Sequence, residues 1–143
     1  MIKYPLHFEV HAKTSSGMQT PFEAKAGNLP PIAGAIPKEF GGPGNGYSPE
    51  DLFSLAVLSC LIATFEVFAE RAGLQFTDIS GTAKLTIDRN AQGIPELQKL
   101  DINFTLTGVQ DQEKAKTLLI ESEKYCLVSN AVKTEKTFNY NFT

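Results

Sequence analysis

Residues 48–73 read SPEDLFSLAVLSCLIATFEVFAERAG, and this stretch decides the fold. Ser48 can cap a helix whose first position is Pro49, and the two acidic residues that follow complement the positive end of a helix dipole. Gly73 suits the left-handed conformation in which many helices end. These signals predict one helix that runs from Pro49 to about Ala72.

The predicted helix is apolar on nearly all sides until its charged C-terminal end. Such a helix in a soluble protein must be buried all round, and a domain of 143 residues has difficulty enclosing one by itself. A partner subunit is the simplest cover. The apolar stretch from Leu52 to Val67 is interrupted by Ser54, Thr64 and Glu66, so we expect no membrane span.

The composition indicates an ordinary globular protein. The chain has 13 basic and 16 acidic residues, for a net charge of −3, which argues against a nucleic-acid partner. The length fits one domain, which we expect to cover residues 1–143. The N-terminal residues 1–5 have no apolar core of a signal peptide, so the expected location is the cytoplasm.

Strand patterns lie on both sides of the long helix. Residues that alternate between apolar and polar predict six strands, at Tyr4–Lys13, Met18–Ala26, Ile32–Ile36, Phe76–Asp88, Leu97–Thr107 and Lys136–Phe142. A second helix is predicted from Asp111 to about Tyr125, with a separate helical turn over Cys126–Val132. The order predicts an α+β fold in which a mostly antiparallel sheet packs on two helices.

Two cysteines are the candidate reactive groups. In a reducing compartment Cys60 and Cys126 are unlikely to form a static structural bridge. They are either inert small apolar residues or a redox pair. If Cys126 opens a new helical turn, the amides of that turn favour its thiolate.

Three segments together resemble the OsmC/Ohr family, the osmotically inducible and organic hydroperoxide resistance proteins. They are the glycine-rich run over residues 44–53, then Ser59-Cys60, then residues 124–130, which read KYCLVSN. The resemblance covers essentially the whole chain. It implies an OsmC-like fold, with antiparallel sheets packed on a long buried central helix and a second helix, in an intertwined homodimer whose active sites lie at the subunit interface.

The resemblance also implies a thiol-dependent peroxidase that acts on organic hydroperoxides and needs no cofactor. Cys60 occupies the family's peroxidatic position, Cys126 its resolving position, and Glu50 matches its catalytic glutamate. A thiolate attacks the peroxide and becomes a sulfenic acid, the second thiol condenses with it to a disulfide, and an external dithiol restores both thiols.

The chain departs from the family pattern in its cations. Hydroperoxidase members carry an arginine before the glycine-rich loop, whereas the two arginines here, Arg71 and Arg89, lie elsewhere. Lys38 is the candidate substitute, although lysine lacks the planar fork that pairs with a carboxylate. Ser48 and Leu127 replace the usual Asn and Pro. These departures indicate a divergent OsmC-like branch.

Two other functions stay open. One is a non-catalytic OsmC-like protein that binds a small apolar ligand, and the other is a thiol redox partner of another protein. Glu50 and Cys60 lie about 15 Å apart along one straight helix, so a shared site needs the other subunit or a bridging cation. His7 and His11 share a strand face but lack a third ligand, so we expect no metal site.

Overall fold

The computed structural model describes all 143 residues. The chain forms two compact units, Met1–Leu52 and Phe53–Thr143. The expectation that residues 1–143 form a single domain stays a prediction.

The first unit is built on a small antiparallel sheet. Its strands are β1 (Val10–Lys13), β2 (Phe22–Ala26) and β3 (Ile32–Gly34), in that order across the sheet. A short 3₁₀ turn over Lys38–Phe40 leads into the glycine-rich loop.

All three predicted strands of this unit are too long, most clearly the first. Residues 4–9 lie outside β1, because β2 pairs with Val10–Lys13 and then ends at Ala26. Gly27 follows with φ +52°, a turn conformation that leaves residues 4–9 no neighbouring strand. Pro21 lies immediately before β2, where it removes no ladder hydrogen bond.

The long helix, α1, extends over Pro49–Ala72 as predicted. The backbone N–H of Asp51 donates to Ser48 Oγ at 3.0 Å, and the Ser48 N–H donates to Asp51 Oδ2 at 3.0 Å. This reciprocal pair satisfies donors that the first turn leaves open. Gly73 has φ +67° and ends the helix.

The second unit holds a larger mixed sheet. Strand β4 (Asp78–Arg89) pairs antiparallel with β5 (Pro95–Thr107), which pairs parallel with β6 (Glu135–Phe142). The pair of β5 and β6 is parallel, whereas the other three strand pairs are antiparallel, so the expectation of a mostly antiparallel arrangement is confirmed. Helices α2 (Gln112–Tyr125) and α3 (Leu127–Ala131) return the chain to the end where β5 began, as a parallel pair requires.

The core of the second unit lies between α1 and the sheet. One stripe of α1, spaced four residues apart, is buried: Val57, Leu61, Phe65 and Ala69. Three residues of β5, Leu100, Ile102 and Phe104, form one buried cluster with Val57 and Leu61. A second cluster contains Leu106 of β5, Phe65 and Ala69 of α1, and two residues of α2.

The rest of α1 is less buried than its sequence predicts. Leu55 keeps 44% and Val67 45% of its surface exposed, so one chain covers one stripe of the helix rather than its whole circumference. By length and composition α1 could cross a membrane, but core helices of soluble proteins pass the same test. One stripe of α1 packs against β5.

Candidate active site

The structure brings the two cysteines together from distant parts of the sequence. Cys60 lies in the middle of α1 and is half-buried, whereas Cys126 is completely buried between α2 and α3. Both thiols are free, and Cys60 packs against the buried cluster that contains Cys126. They are close enough for Cys60 to contribute to the raised pKa of Cys126. The pair is therefore placed for thiol exchange chemistry, which requires two sulfurs that can meet.

Cys126 forms the junction between two helices. Its N–H donates to Ser122 O at 3.0 Å and ends α2, while its Sγ accepts the Ser129 N–H at 3.4 Å and caps α3. The separate helical turn predicted after Cys126 is confirmed as α3, over Leu127–Ala131.

Burial controls the ionisation of Cys126. Removal from water raises the pKa of this thiol to about 11, and the hydrogen bond with Cys60 acts in the same direction. The Ser129 amide opposes the shift but is outweighed. The amides of Ser129 and Val128 do favour the Cys126 thiolate, as expected, but desolvation of the charged sulfur is the larger effect and the pKa rises.

The surroundings of Cys60 are apolar on one side and open on the other. Cys60 packs against the buried cluster that contains Val57 and Leu61, while Ser59 next to it is exposed. Thr64 Oγ1 donates to the Cys60 carbonyl at 2.8 Å and holds the helix locally. A reagent can thus reach Cys60 more readily than the buried Cys126.

Glu50 lies in the first turn of α1 and is half-buried. Because α1 is continuous from Pro49 to Ala72, Glu50 stays ten residues from Cys60 on the same helix. Direct contact within one chain is excluded by this spacing, about 15 Å along the axis. Its catalytic role stays a prediction.

Lys38 lies on the 3₁₀ turn before the glycine-rich loop and is exposed. Its aliphatic stem passes over Gly44, where an added Cβ would lie 2.7 Å from Lys38 Cγ. Gly44 also has φ +62°, so this position requires glycine for two reasons. The role of Lys38 as a substitute cation stays a prediction.

Comparison with known proteins decides the family. A family model described as "OsmC-like protein" matches residues 42–141, which is more than half of the chain. The chain belongs to the OsmC-like protein family. The resemblance inferred from the glycine-rich run and the two cysteine segments is confirmed.

Relatives of this OsmC-like protein are distant in sequence. The uncharacterized protein YmaD of Bacillus subtilis (strain 168) is 25% identical over 131 residues, 88% of this chain and 86% of YmaD. An organic hydroperoxide resistance protein from Elizabethkingia anophelis superposes with a TM-score of 0.78 at 21% identity, over 98% of this chain and 100% of that one. An OsmC-like protein of unknown function from Vibrio cholerae superposes with a TM-score of 0.77 at 15% identity, over 94% of this chain and 99% of that one. At identities this low, the superpositions establish a shared fold and nothing further.

The Ser129 amide that bonds Cys126 Sγ is one of the turn amides that the sequence predicts. Sequence reasoning missed a hydrogen bond near the cysteine pair of the OsmC-like protein, from the Tyr140 hydroxyl on β6 to Glu123 Oε2 on the last turn of α2. The alternation of β6 predicts which residues share a face with Tyr140, but only the parallel pairing of β5 and β6 identifies its neighbours.

Proposed function

We propose that this OsmC-like protein is a cysteine-based peroxidase that reduces organic hydroperoxides with electrons from an external dithiol. The observation that carries the proposal is the packing of a half-exposed Cys60 against the cluster that holds the buried Cys126. Burial also raises the pKa of Cys126, so this thiol retains its proton at neutral pH. Some structural relatives, such as the one from Elizabethkingia anophelis, are named organic hydroperoxide resistance proteins. That naming supports the substrate class.

In the first step the Cys60 thiolate attacks the peroxide. Its sulfur takes one oxygen of ROOH, the O–O bond breaks, and the alkoxide leaves as ROH after taking up one proton. Cys60 is thereby oxidised to a sulfenic acid and the peroxide is reduced to an alcohol.

In the second step Cys126 resolves the sulfenic acid. The Cys126 sulfur bonds Cys60 Sγ, and the sulfenic hydroxyl leaves as water with the proton that Cys126 loses. A dithiol then exchanges with the disulfide, which returns two thiols to the protein and leaves the dithiol oxidised.

The environments of the two cysteines support this order of events. Cys126 has no direct access to solvent, and burial raises the pKa of its thiol to about 11. It is therefore a poor first nucleophile at neutral pH, since the thiolate is the reactive form. Once Cys60 is a sulfenic acid, the reaction partner of Cys126 is already in contact.

The apolar side of the site supports an organic substrate. Cys60 contacts the cluster built around Val57, Leu61 and Ile102. An alkyl group buries apolar surface in such surroundings, and hydrogen peroxide has none to bury. We infer that the alkyl group supplies part of the binding free energy.

The wider assembly is part of the same proposal. Exposed apolar side chains are typical of a subunit interface, and the chain has them at Leu55 and Val67 on α1 and at Phe8, which is 92% exposed. We therefore propose a homodimer. In it Glu50 and Lys38 assist the Cys60 thiolate. Two free thiols also suit the reducing cytoplasm.

Consumption of cumene hydroperoxide with dithiothreitol tests the proposal. The wild type should consume peroxide and pass through a Cys60–Cys126 disulfide, and Cys60→Ser should fall to the uncatalysed background. Ser59→Ala is the matched control, since Ser59 is an exposed neighbour on the same helix. Equal rates for the wild type and Cys60→Ser would contradict the peroxidase and leave an apolar-ligand protein as the better hypothesis.

A further inference from the structure

The junction of α2 and α3 holds the resolving cysteine, and we call residues 123–129 the elbow. Cys126 lies at its centre with φ −70° and ψ 110°, a non-helical conformation between two helices. The Lys124 carbonyl accepts the side-chain amide of Asn130, the residue that follows the elbow, at 2.7 Å. This bond shapes the elbow but does not connect it to the sheet.

A side-chain bond connects the elbow to the sheet. The Tyr140 hydroxyl on β6 donates to Glu123 Oε2, three residues before Cys126, and this bond is partly buried. Burial and the Glu123 carboxylate both raise the pKa of Tyr140, so its hydroxyl remains a donor at all physiological pH values. The bond is charge-assisted, which makes it stronger than a bond between neutral groups.

Tyr140 is itself held in place. Its ring stacks on Phe104 with centroids 6.2 Å apart and planes 10° apart, and the two residues are direct partners in the β5–β6 register. Phe104 belongs to the buried cluster that contains Cys126. Tyr140 thus connects the rigid part of the core to the last turn of α2.

We propose that Tyr140, through Glu123, is a positioning residue that holds Cys126 in reach of Cys60. Its bearing on turnover rests on the proposed peroxidase, but its effect on disulfide formation does not. Exchange with oxidised dithiothreitol joins Cys126 Sγ to Cys60 Sγ and leaves dithiothreitol as the dithiol, so the disulfide is more stable the more often the two sulfurs meet. Without the hydroxyl, the Glu123 carboxylate loses a partly buried partner and the end of α2 is released from β6.

The test is the equilibrium between the Cys60–Cys126 disulfide and the two thiols in mixtures of oxidised and reduced dithiothreitol, followed by rapid alkylation. Tyr140→Phe removes the hydroxyl and keeps the ring stack. We expect the disulfide to become less stable by about threefold or more. Thr137→Val is the matched control, since it removes another β6 side-chain bond, the one from Thr137 to Asp101.

A second pair of variants covers the case in which Tyr140→Phe does not fold. Glu123→Gln keeps an oxygen that accepts from Tyr140, and Glu123→Ala does not. We expect Glu123→Gln to stay closer to the wild type. The proposal is overturned if the stability of the disulfide is unchanged in Tyr140→Phe, or if it falls equally in Thr137→Val. It is also overturned if the two Glu123 variants have the same disulfide stability, or if the wild type forms no disulfide.

The outcome is separable from that of the peroxidase proposal. If the wild type fails to consume hydroperoxide but Tyr140→Phe still weakens the disulfide, the positioning role stands and the peroxidase does not. If the wild type is a peroxidase and the equilibrium does not move, only the positioning role is lost.

Discussion

The two cysteine regions differ in almost every physical respect. Cys60 lies within an uninterrupted helix of 24 residues, with one side toward the core and its neighbour Ser59 exposed. Cys126 lies at a break between two helices and is fully buried. Cys60 is a thiol at a fixed position that reagents can reach. Cys126 is a buried thiol, and side-chain hydrogen bonds determine the geometry of the segment that carries it.

In the proposed reaction this difference gives one residue type two chemical roles. Access to solvent and the protonation of the thiol decide which sulfur reacts first, and burial reserves the other sulfur for the second step. Neither property belongs to cysteine itself, since an unperturbed thiol has a pKa of about 8.5.

The largest expected effect concerns the reactivity of the buried thiol. In Cys60→Ser, alkylation of Cys126 by iodoacetamide should accelerate about tenfold per pH unit from pH 7 to 10, because the thiolate fraction rises throughout this range when burial keeps the pKa high. A rate that levels off below pH 9 would show that burial does not raise the pKa of Cys126.

The same raised pKa predicts a change in stability. The folded state favours protonated Cys126, so its contribution to the free energy of unfolding is present below about pH 9 and is lost as the pH rises to about 11. Urea denaturation of the wild type and Cys126→Ser at pH 8 and 10 measures it, and only the wild type should lose this increment.

Replacement of the second cysteine separates the two chemical steps. Cys126→Ser should lower steady-state peroxide turnover by about a hundredfold or more, because an external thiol replaces a neighbour already in contact. The first step should persist, and a 1,3-dione probe should trap the Cys60 sulfenic acid. Loss of trapping would mean that Cys126 is needed from the start.

Core truncations on α1 distinguish its two sides. Leu61→Ala, at a buried position, should lower the free energy of unfolding by about 2–5 kcal/mol. Leu55→Ala, at a half-exposed position, should cost less than about 1 kcal/mol in an isolated chain. A larger cost for Leu55→Ala that depends on protein concentration would show that a second subunit covers this side of Cys60's helix.

The smallest expected effect is that of the proposed cation. Lys38→Ala should slow the reaction of Cys60 with peroxide by at most about tenfold, because an exposed lysine shifts a neighbouring pKa only modestly. Lys25→Ala, an exposed lysine on β2, is the control. If the two variants retain equal rates, Lys38 is not the substitute for the family arginine.

Local signals account for the parts of the fold that were predicted well. The bounds of α1 follow from Ser48, Pro49 and Gly73, whose preferences depend on a few neighbouring residues. The helical turn after Cys126 was also predicted from residues close together in the sequence. The strand over residues 4–9 was predicted wrongly because alternation does not show whether a partner strand extends that far.

The candidate site was predicted only in part. Cys60 and Cys126 were paired through family resemblance, and nothing in the spacing of the chain places them in contact. The direction of the Cys126 pKa shift was missed, because the sequence shows the amides that lie next to Cys126 but does not show its burial by residues distant in the chain. The link from Tyr140 to Glu123 was missed for the same reason.

The sequence by itself determined where the helices begin and end, which strands alternate, and which family the chain resembles, because capping groups and side-chain period act over a few residues. The tertiary structure alone decided that β6 pairs parallel to β5, that Cys126 loses its water, and that one stripe of α1 is covered. Each of these depends on segments far apart in the chain that meet only when the core forms, and burial there outweighs the local amides that would otherwise favour the Cys126 thiolate.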